Sequence, residues 1–346
     1  MSVTYKEIKG QYDALKKTVK YITEKQTDIA AFFQIHPMKS LLFIGSGSSY
    51  DLSQSAEMIV KTELGIPASS MPAGDVMVNC KSYRNLFSGS VVIAISRSGN
   101  TTEIINTISS IKKEADVPVF SITCVEDSQL SKVADFTLNM PWAFDASVCQ
   151  TRTITNLYAA VALIVSILSK NKNISDNIVK AAESGDKFLS DYEDILRAVG
   201  YEHWEKAVVL ADGKIAGIAA EAALAYNEIA NIPSNYYHLL DARHGPAVLF
   251  DENTLIIAAV SNGNLAYQLS LINDFAAKGC KVIVCKDSSV KDLDNVRLNV
   301  TYGAELDDIS VGIPFVNVSQ LISYYKSEQN GLNPDKPAGL DAWIKL

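Results

Sequence analysis

The stretch Val91-Val92-Ile93-Ala94-Ile95-Ser96-Arg97-Ser98-Gly99-Asn100-Thr101 passes from an apolar run into a turn rich in hydroxyl side chains. The apolar run, residues 91–95, is typical of a buried parallel strand. Beyond the turn, residues 103–113 carry isoleucines at helical spacing, namely Ile104, Ile105, Ile108 and Ile111. The stretch therefore predicts a strand, a turn and a helix in succession.

The same turn has the chemistry of a phosphate site. The first N–H groups of a helix lack backbone partners, and the helix dipole favours an anion beside them. Ser96, Ser98 and Thr101 can donate hydroxyl hydrogen bonds to phosphate oxygens, and Gly99 allows the backbone to come close. For an isolated six-residue match, an ordinary Ser/Gly turn with a helix cap is the plainer explanation.

A second turn of this kind lies earlier in the chain. Residues 41–44 form another buried-strand run, followed by Gly45-Ser46-Gly47-Ser48-Ser49-Tyr50 and then by a helical pattern. Ligands of doubly wound parallel sheets lie beyond the carboxyl ends of the strands, so both turns can face one pocket. Tyr50 stands where a dinucleotide fingerprint has its third glycine, and this excludes a nicotinamide site.

The pattern of strands occurs twice along the 346 residues. Five candidate strands are followed by five more at similar intervals, offset by about 165 residues. The first set is residues 41–44, 68–71, 91–95, 119–123 and 136–140; the second is residues 207–210, 236–239, 255–260, 281–285 and 298–302. Helical stretches fill most intervals, so we expect an α/β fold of two tandem α/β/α sandwiches with mainly parallel sheets.

The segments between these sets define the expected domains. Residues 1–40 form an N-terminal helical arm, residues 41–170 the first sandwich and residues 171–200 a helical connector. The second sandwich covers residues 201–325, and residues 326–346 form a C-terminal tail that contains Pro334 and Pro337.

Composition narrows the possible partners and the compartment. A net charge of −8 and a pI near 5.1 disfavour nucleic acid or an anionic membrane as partner. Residues 1–25 contain no apolar signal core, and residues 158–168, the longest apolar stretch, are too short to span a bilayer. We therefore expect a cytoplasmic protein. Its five cysteines and four histidines lack metal-type spacing, so we expect free thiols, no metal and no cofactor.

Alignment of the two halves separates their functions. The 96–101 turn falls on Val260-Ser261-Asn262-Gly263-Asn264-Leu265, where most of the hydroxyl groups are missing. The concentration of serines in the first half indicates one phosphate pocket there. The second half should therefore do another job.

Two ionisable residues of the second half can carry proton transfer. Glu228 shares a helix with Glu221 amid small apolar residues, and His244 lies in the irregular segment Asp241-Ala-Arg243-His244-Gly245-Pro246. Moving the carbonyl of a sugar phosphate needs a base near C1 or C2 and a group that opens the ring, and a glutamate and a histidine suit these roles. A solvated carboxylate and a surface histidine are the plainer readings.

Taken together, these motifs resemble those of tandem sugar isomerase (SIS) domain proteins. The family includes the isomerase half of glucosamine-6-phosphate synthase and the fructosamine-6-phosphate deglycases. The resemblance covers nearly everything from about residue 41 onward. It rests on Gly47-Ser48-Ser49-Tyr50, Ser96-x-Ser98-Gly99-x-Thr101, Val148-Cys149-Gln150-Thr151-Arg152, the helix with Glu228, and His244-Gly245-Pro246.

The resemblance implies a role for each matching residue. Ser48, Ser49, Ser96, Ser98 and Thr101 would bind the phosphate of a sugar 6-phosphate. Glu228 would be the proton-transferring base, and His244 would assist ring opening or act as an acid. In the family this histidine comes from the neighbouring subunit, which implies a homodimer with shared active sites.

Departures from the synthase pattern point to the reaction. Where the synthase has two lysines, one of which forms a Schiff base, this chain has Ala225 and Ala342, and Lys345 is out of register. A substrate that already carries an amine at C1 needs only a base and an acid, so we expect a deglycase that releases glucose 6-phosphate and an amine. We do not expect the complete synthase, since no glutaminase domain precedes the matched region.

Three further residues and two alternatives complete the expectations. Arg97, Gln150 and Arg152 could read an extra carboxylate on the substrate, although an ion pair with Asp145 is the simpler role for Arg152. An aldose–ketose isomerase or an amino-sugar-phosphate deaminase would use the same residues. A non-catalytic sugar-phosphate sensor would keep the phosphate serines but would not need both Glu228 and His244.

Overall fold

The computed structural model of the protein describes residues 2–344, which form two compact α/β units. The leading unit comprises Gly10–Val179 and residues 341–344, and the trailing unit comprises residues 2–9 and Lys180–Leu340. Each unit contains one five-stranded sheet in which all paired strands are parallel. The α/β class and the two parallel sheets predicted from the sequence are confirmed.

The α-helices follow the apolar periodicity of the chain. They are α1 Val3–Lys9, α2 Gln11–Glu24, α3 Gln26–Ile35, α4 Ser48–Glu63, α5 Ala73–Asn79, α6 Arg84–Phe87, α7 Thr102–Glu114, α8 Gln129–Val133, α9 Arg152–Ser169, α10 Lys172–Tyr201, α11 Ala216–Ala230, α12 Leu265–Ala277 and α13 Gly312–Gln329. The long helix α10 begins in the leading unit and ends in the trailing unit. Residues 330–344 contain no helix or strand.

Both sheets have the same topology. The leading sheet has the order β2-β1-β3-β4-β5, with β1 Ser40–Gly45, β2 Ala68–Pro72, β3 Ser90–Ser96, β4 Val119–Thr123 and β5 Phe136–Asn139. The trailing sheet has the order β10-β9-β8-β6-β7, with β6 Lys206–Leu210, β7 Ser234–Tyr237, β8 Thr254–Ala259, β9 Lys281–Lys286 and β10 Leu298–Thr301. The strand order reverses between β1 and β3 and again between β6 and β8, where such sheets open a crevice.

The predicted strands all occur, and one of them is displaced. β7 ends at Tyr237, two residues before the expected end. The Leu239 N–H donates to the Asp212 carboxylate at 3.3 Å instead of continuing the ladder, and the chain then enters a short 3₁₀ turn, Leu240–Arg243. A side-chain acceptor thus ends this strand.

The strand, turn and helix predicted around residue 96 are confirmed. Every residue of β3 is buried, as its continuous apolar run requires. Ile104, Ile108 and Ile111 of α7 are almost fully buried in the same core cluster. Burying each of these side chains contributes about 1.5 to 3 kcal/mol, which holds the start of α7 against the sheet.

The helix α9 is largely apolar and almost wholly buried. Among the described residues it is the one helix long and apolar enough to cross a membrane, and 78% of that window is buried inside the protein. Its residues from Thr153 to Ser166 are all buried in the leading unit. Packing inside the protein accounts for its composition.

Candidate active site

The loop of residues 96–101 leaves the carboxyl end of β3 and leads into α7. Ser96 Oγ accepts a hydrogen bond from the Gly99 N–H at 3.0 Å, and Ser98 Oγ accepts one from the Asn100 N–H at 3.1 Å. Both serines are buried. Because each hydroxyl accepts from the backbone, it keeps its own proton to donate to an anion.

Gly99 is required by the path of this loop. Its φ is +58°, a conformation that favours glycine, and a Cβ at this position would lie 2.4 Å from Ser128 Oγ. The Gly99 carbonyl accepts from the Leu130 N–H at 2.9 Å, which ties the loop to the start of α8.

The loop of residues 45–50 joins β1 to α4 in a similarly tight way. A Cβ on Gly45 would lie 2.4 Å from the backbone of Ser49, so only glycine allows the first turn of α4 this close to β1. Ser48 and Ser49 open the helix and are buried. The Ser46 hydroxyl is buried too, and no described residue hydrogen-bonds it.

Both loops lie at one edge of the leading sheet. β1 and β3 are parallel neighbours, with Ile44 beside Ala94, so their carboxyl ends are adjacent. This edge is where the strand order reverses, and two helices begin there with their N-terminal N–H groups. The structure therefore brings together the predicted hydroxyl groups, namely Ser48, Ser49, Ser96, Ser98 and Thr101.

The Arg97 guanidinium binds backbone carbonyl groups, which argues against a role in binding an anion. Its buried guanidinium donates to the carbonyl oxygens of Ser147 at 3.0 Å, Val148 at 2.9 Å and Ala342. The Phe144 ring lies against the same group, 6.0 Å from ring centre to Cζ. The side chain thus fastens neighbouring backbone segments of the leading unit.

The C-terminal segment lies against the start of α7. The Ile344 carbonyl accepts a hydrogen bond from the Thr102 N–H at 3.2 Å, and Ala342 is held by Arg97. Ala342 stands at the position where, by the resemblance, the synthase has its Schiff-base lysine. Lys345, considered above for the same role, lies outside the described residues.

Gln150 lies in the segment that precedes α9, and Arg152 is the first residue of that helix. Gln150 Oε1 is buried and no described residue hydrogen-bonds it. Arg152 donates to the Phe144 carbonyl, and its Nε lies 3.6 Å from Asp145 Oδ1. The Asp145 carboxylate also accepts from the Thr151 and Thr153 N–H groups, at 2.7 and 2.8 Å. The simpler role named for Arg152, an ion pair with Asp145, is therefore present.

Glu228 lies near the end of α11 in the trailing unit. Its side chain is partly exposed, and Glu221, two turns earlier, is 2% exposed. Most other residues of α11 are small and buried. Of the two carboxylates on this helix, Glu221 is thus buried, while Glu228 has access to solvent.

His244 is exposed, in the loop that follows β7. Its N–H donates to the Asp241 carbonyl at 2.8 Å, and Gly245 behind it has φ +122°. The exposed apolar side chains Leu240, Val248 and Leu249 lie in the same segment, with Val248 83% exposed.

A second ionisable group near β7 was missed by the sequence analysis. His238 Nδ1 lies 2.9 Å from Asp212 Oδ1 and 3.1 Å from the Tyr236 hydroxyl. Burial raises the pKa of Tyr236, so this phenol stays protonated and donates to the Ala211 carbonyl at 3.1 Å. The sequence signal that could have indicated this group is the position of Asp212, which follows β6 as the serine turns follow β1 and β3.

The cysteines are chemically quiet. All five are buried free thiols. Burial raises the pKa of the Cys280 thiol to about 11 and that of Cys124 further. Within residues 2–344, no three His, Cys, Asp or Glu side chains are grouped as metal ligands.

Comparison with known proteins matches both units to one family model. The SIS domain model matches residues 34–167 and 200–326. The glutamine–fructose-6-phosphate aminotransferase (isomerizing) of Francisella tularensis is 27% identical over 318 residues, which cover 87% of this chain and 51% of that protein. The chain spans about half the length of the curated relatives it matches.

Solved structures share the fold over nearly the whole chain. Tagatose-6-phosphate ketose/aldose isomerase from Escherichia coli superposes with a TM-score of 0.88 at 22% identity, covering 98% of this chain and 96% of that one. A glucosamine-6-phosphate deaminase from Thermotoga maritima superposes with a TM-score of 0.83 at 23% identity, covering all of both chains.

Proposed function

The chain belongs to the SIS domain family, and from that premise we propose that it is an enzyme acting on sugar 6-phosphates. The observation that carries the proposal is the pair of hydroxyl-rich loops at the switch point of the leading sheet, where β1 and β3 end side by side. Buried serine hydroxyls and two helix N-termini make this edge suited to a phosphate group. The relatives named above act on phosphorylated sugars, which supports the same substrate class.

We propose that the reaction is the deglycation of an amino-linked ketose 6-phosphate. Glu228 would remove a proton from C1 of the open-chain fructosamine and return it to C2, while the C2 oxygen gains a proton and the amine nitrogen loses one, which converts the ketoamine into a C1 imine. Water then adds to the imine, and the C–N bond breaks to release glucose 6-phosphate and the free amine. His244 would assist ring opening and protonate the departing amine, so that atoms and protons balance without a redox partner.

The position of Ala342 supports a deglycase over a Schiff-base isomerase. A methyl side chain there cannot form an imine with a ketose, and its carbonyl is engaged by Arg97. A substrate with an amine already at C1 does not need that lysine. The structural similarity to the tagatose-6-phosphate isomerase and the glucosamine-6-phosphate deaminase keeps isomerase and deaminase activities as the second candidate.

A substrate panel tests the assignment. Purified protein is assayed with fructosyl-lysine 6-phosphate, fructose 6-phosphate and galactosamine 6-phosphate, and glucose 6-phosphate and free amine are followed separately. We expect the first compound to give both products in equal amounts. Turnover of fructose 6-phosphate alone would identify an isomerase, and turnover of galactosamine 6-phosphate alone would identify a deaminase. Tight binding of one compound without turnover of any would identify a sensor.

We further propose a homodimer in which His244 serves the partner's active site. The exposed histidine and the apolar side chains Leu240, Val248 and Leu249 beside it support an interface at this loop.

The acidic surface, the five free thiols and the burial of α9 support a cytoplasmic protein that does not bind nucleic acid or a membrane.

Mixing two inactive variants tests the sharing of sites. Glu228→Gln and His244→Ala chains are co-refolded in equal amounts. If each site takes Glu228 from one chain and His244 from the other, half the dimers are mixed and each has one intact site, which restores about a quarter of wild-type activity. No recovery in a solution shown by light scattering to contain dimers would contradict the sharing.

A further inference from the structure

The trailing unit contains a cavity that the proposed reaction does not use. It has a volume of about 630 Å³ and lies at the carboxyl edge of the trailing sheet, lined by the segments that follow β6, β8, β9 and β10. β6 and β8 are the strands between which the order reverses. The cavity therefore occupies the position that in the leading unit holds the two serine loops.

Phosphate-binding groups are missing from this position. In the 261–264 loop, the Gln268 side chain takes up the polar groups that a ligand would otherwise meet. Its Oε1 accepts from the Ser261 N–H at 3.0 Å, and its Nε2 donates to the Ser261 Oγ at 3.1 Å and to the Gly263 carbonyl. Gln268 is buried. This loop is thus closed on itself and does not cradle an anion.

The charge of the cavity wall is strongly negative. Five carboxylates line it, namely those of Asp212, Asp287, Glu305, Asp307 and Asp308. Lys214 supplies the one ammonium group of the lining. Lys214 lies 2.9 Å from Asp308 Oδ1. Burial raises the pKa of Asp307, the direction expected for a carboxylate without a cation beside it, while hydrogen bonds from Ser289 lower the pKa of Asp287 and keep it ionised.

Tyr302 adds an independent sign of a ligand. Its side chain is 3% exposed and lines the cavity. No described residue hydrogen-bonds its hydroxyl, and the Asp287 carboxylate interacts with it electrostatically. Burial raises the pKa of this phenol, so the hydroxyl stays neutral. A tyrosine whose ring is packed in the core normally has a hydrogen-bond partner for its hydroxyl, and here the cavity is the place where one can bind.

We propose that this cavity binds a small ligand that carries a protonated amino group next to hydroxyl groups. The carboxylates would pair with the ammonium group, and the Tyr302 hydroxyl would bond a hydroxyl of the ligand. The site is separate from the proton-transfer residue of the same unit, because Glu228 lies about 18 Å along α11 from Ala216, the residue next to the cavity wall. The proposal goes beyond the function above and does not depend on it.

Three probes of one shape and different charge test the site. Glucamine, sorbitol and gluconate share a polyol chain of six carbons and carry a positive charge, no charge and a negative charge at pH 7. We expect calorimetry to show glucamine binding at least about tenfold more tightly than sorbitol, and gluconate not binding. Equal binding of glucamine and sorbitol, preference for gluconate, or binding of none of the three would overturn the proposal.

Variants assign the binding to the cavity. Asp287→Asn and Tyr302→Phe should each weaken glucamine binding by about fivefold or more, and Tyr302→Phe keeps the ring that fills the core. Asp294→Asn, an exposed position of the same unit that does not line the cavity, is the matched control. Ser98→Ala should leave glucamine binding unchanged. A loss of glucamine binding in Ser98→Ala would place the amine site at the serine loops and overturn the proposal. Unchanged binding in both cavity variants, with thermal unfolding like that of the wild type, would also overturn the proposal.

Discussion

Glu228 and Ser98 divide the proposed chemistry between proton transfer and binding. Glu228 has access to solvent near the end of α11. Ser98 is buried in the loop that leads into α7, and its hydroxyl proton is available for donation. Substitutions at these two positions should therefore affect different kinetic quantities.

Removing the base should abolish turnover and preserve binding. Glu228→Gln keeps the shape and hydrogen-bonding capacity of the side chain but cannot accept a proton. We expect kcat to fall by about 10²- to 10⁴-fold while the Kd for glucose 6-phosphate changes less than about twofold. Steady-state kinetics and calorimetry measure the two quantities.

A surface glutamate of the same unit provides the control for that substitution. Glu252→Gln makes the same charge change at an exposed position and should alter neither quantity. An equal loss of binding and turnover in Glu228→Gln would give Glu228 a structural role.

Removing one loop hydroxyl should act mainly on affinity. A hydrogen bond to a charged group contributes about 1.5 to 3 kcal/mol, so Ser98→Ala should raise the Kd for glucose 6-phosphate by roughly ten- to a hundredfold with little change in kcat. Ser109→Ala, on α7 beyond this loop, is the control. A Kd unchanged in both variants would remove Ser98 from the phosphate site.

At the scale of elements, the turn between β3 and α7 depends on one glycine. Gly99→Ala adds a positive-φ penalty of about 1 to 2 kcal/mol and a contact with Ser128 that must be relieved by a shift. Gly331→Ala, also at positive φ but with nothing within 4 Å, isolates the first of these costs. Urea unfolding should show the larger loss for Gly99→Ala, and glucose 6-phosphate binding should weaken only in that variant. Equal losses would contradict the steric part of the explanation.

The elements also show how much of the site was readable from the chain. The turns at residues 45–50 and 96–101 were predictable because strand, glycine and helix signals are all local. Arg97 and Ile344 were not, because their partners lie far away along the chain: Arg97 holds Ala342, and the Ile344 carbonyl caps Thr102. An arginine in a serine turn has no local feature that distinguishes a ligand contact from a backbone contact.

At the scale of the whole molecule, Glu193 joins three helices of the trailing unit. Its carboxylate accepts from Lys9 at 2.7 Å, from Tyr325 at 2.7 Å and from Tyr5. Burial alone would raise the pKa of Glu193, but these hydrogen bonds outweigh it and lower the pKa to about 2. Residues 2–9 are thereby attached to α10 and α13.

This pKa gives a pH-dependent stability. A carboxyl whose pKa is lower in the folded state stabilises the fold above its unfolded pKa, and the contribution is lost as the pH falls through the folded pKa. We expect Glu193→Gln to be less stable than the wild type at pH 7, with a difference that shrinks between about pH 4.5 and pH 2. Urea unfolding of both proteins at several pH values measures it, and a constant difference would assign the effect to packing.

The succession of strands and helices along the chain, the mainly parallel sheets, the repeat and the serine turns were all predictable from the sequence, because short apolar runs, helical periodicity and turn residues act between near neighbours. Three features arise only from folding: the carbonyl partners of Arg97, the attachment of residues 2–9 by Glu193, and the acidic cavity at the second switch point. Each joins residues that are distant along the chain, and the free energy of such contacts depends on which surfaces meet after packing and on how far water is excluded from them.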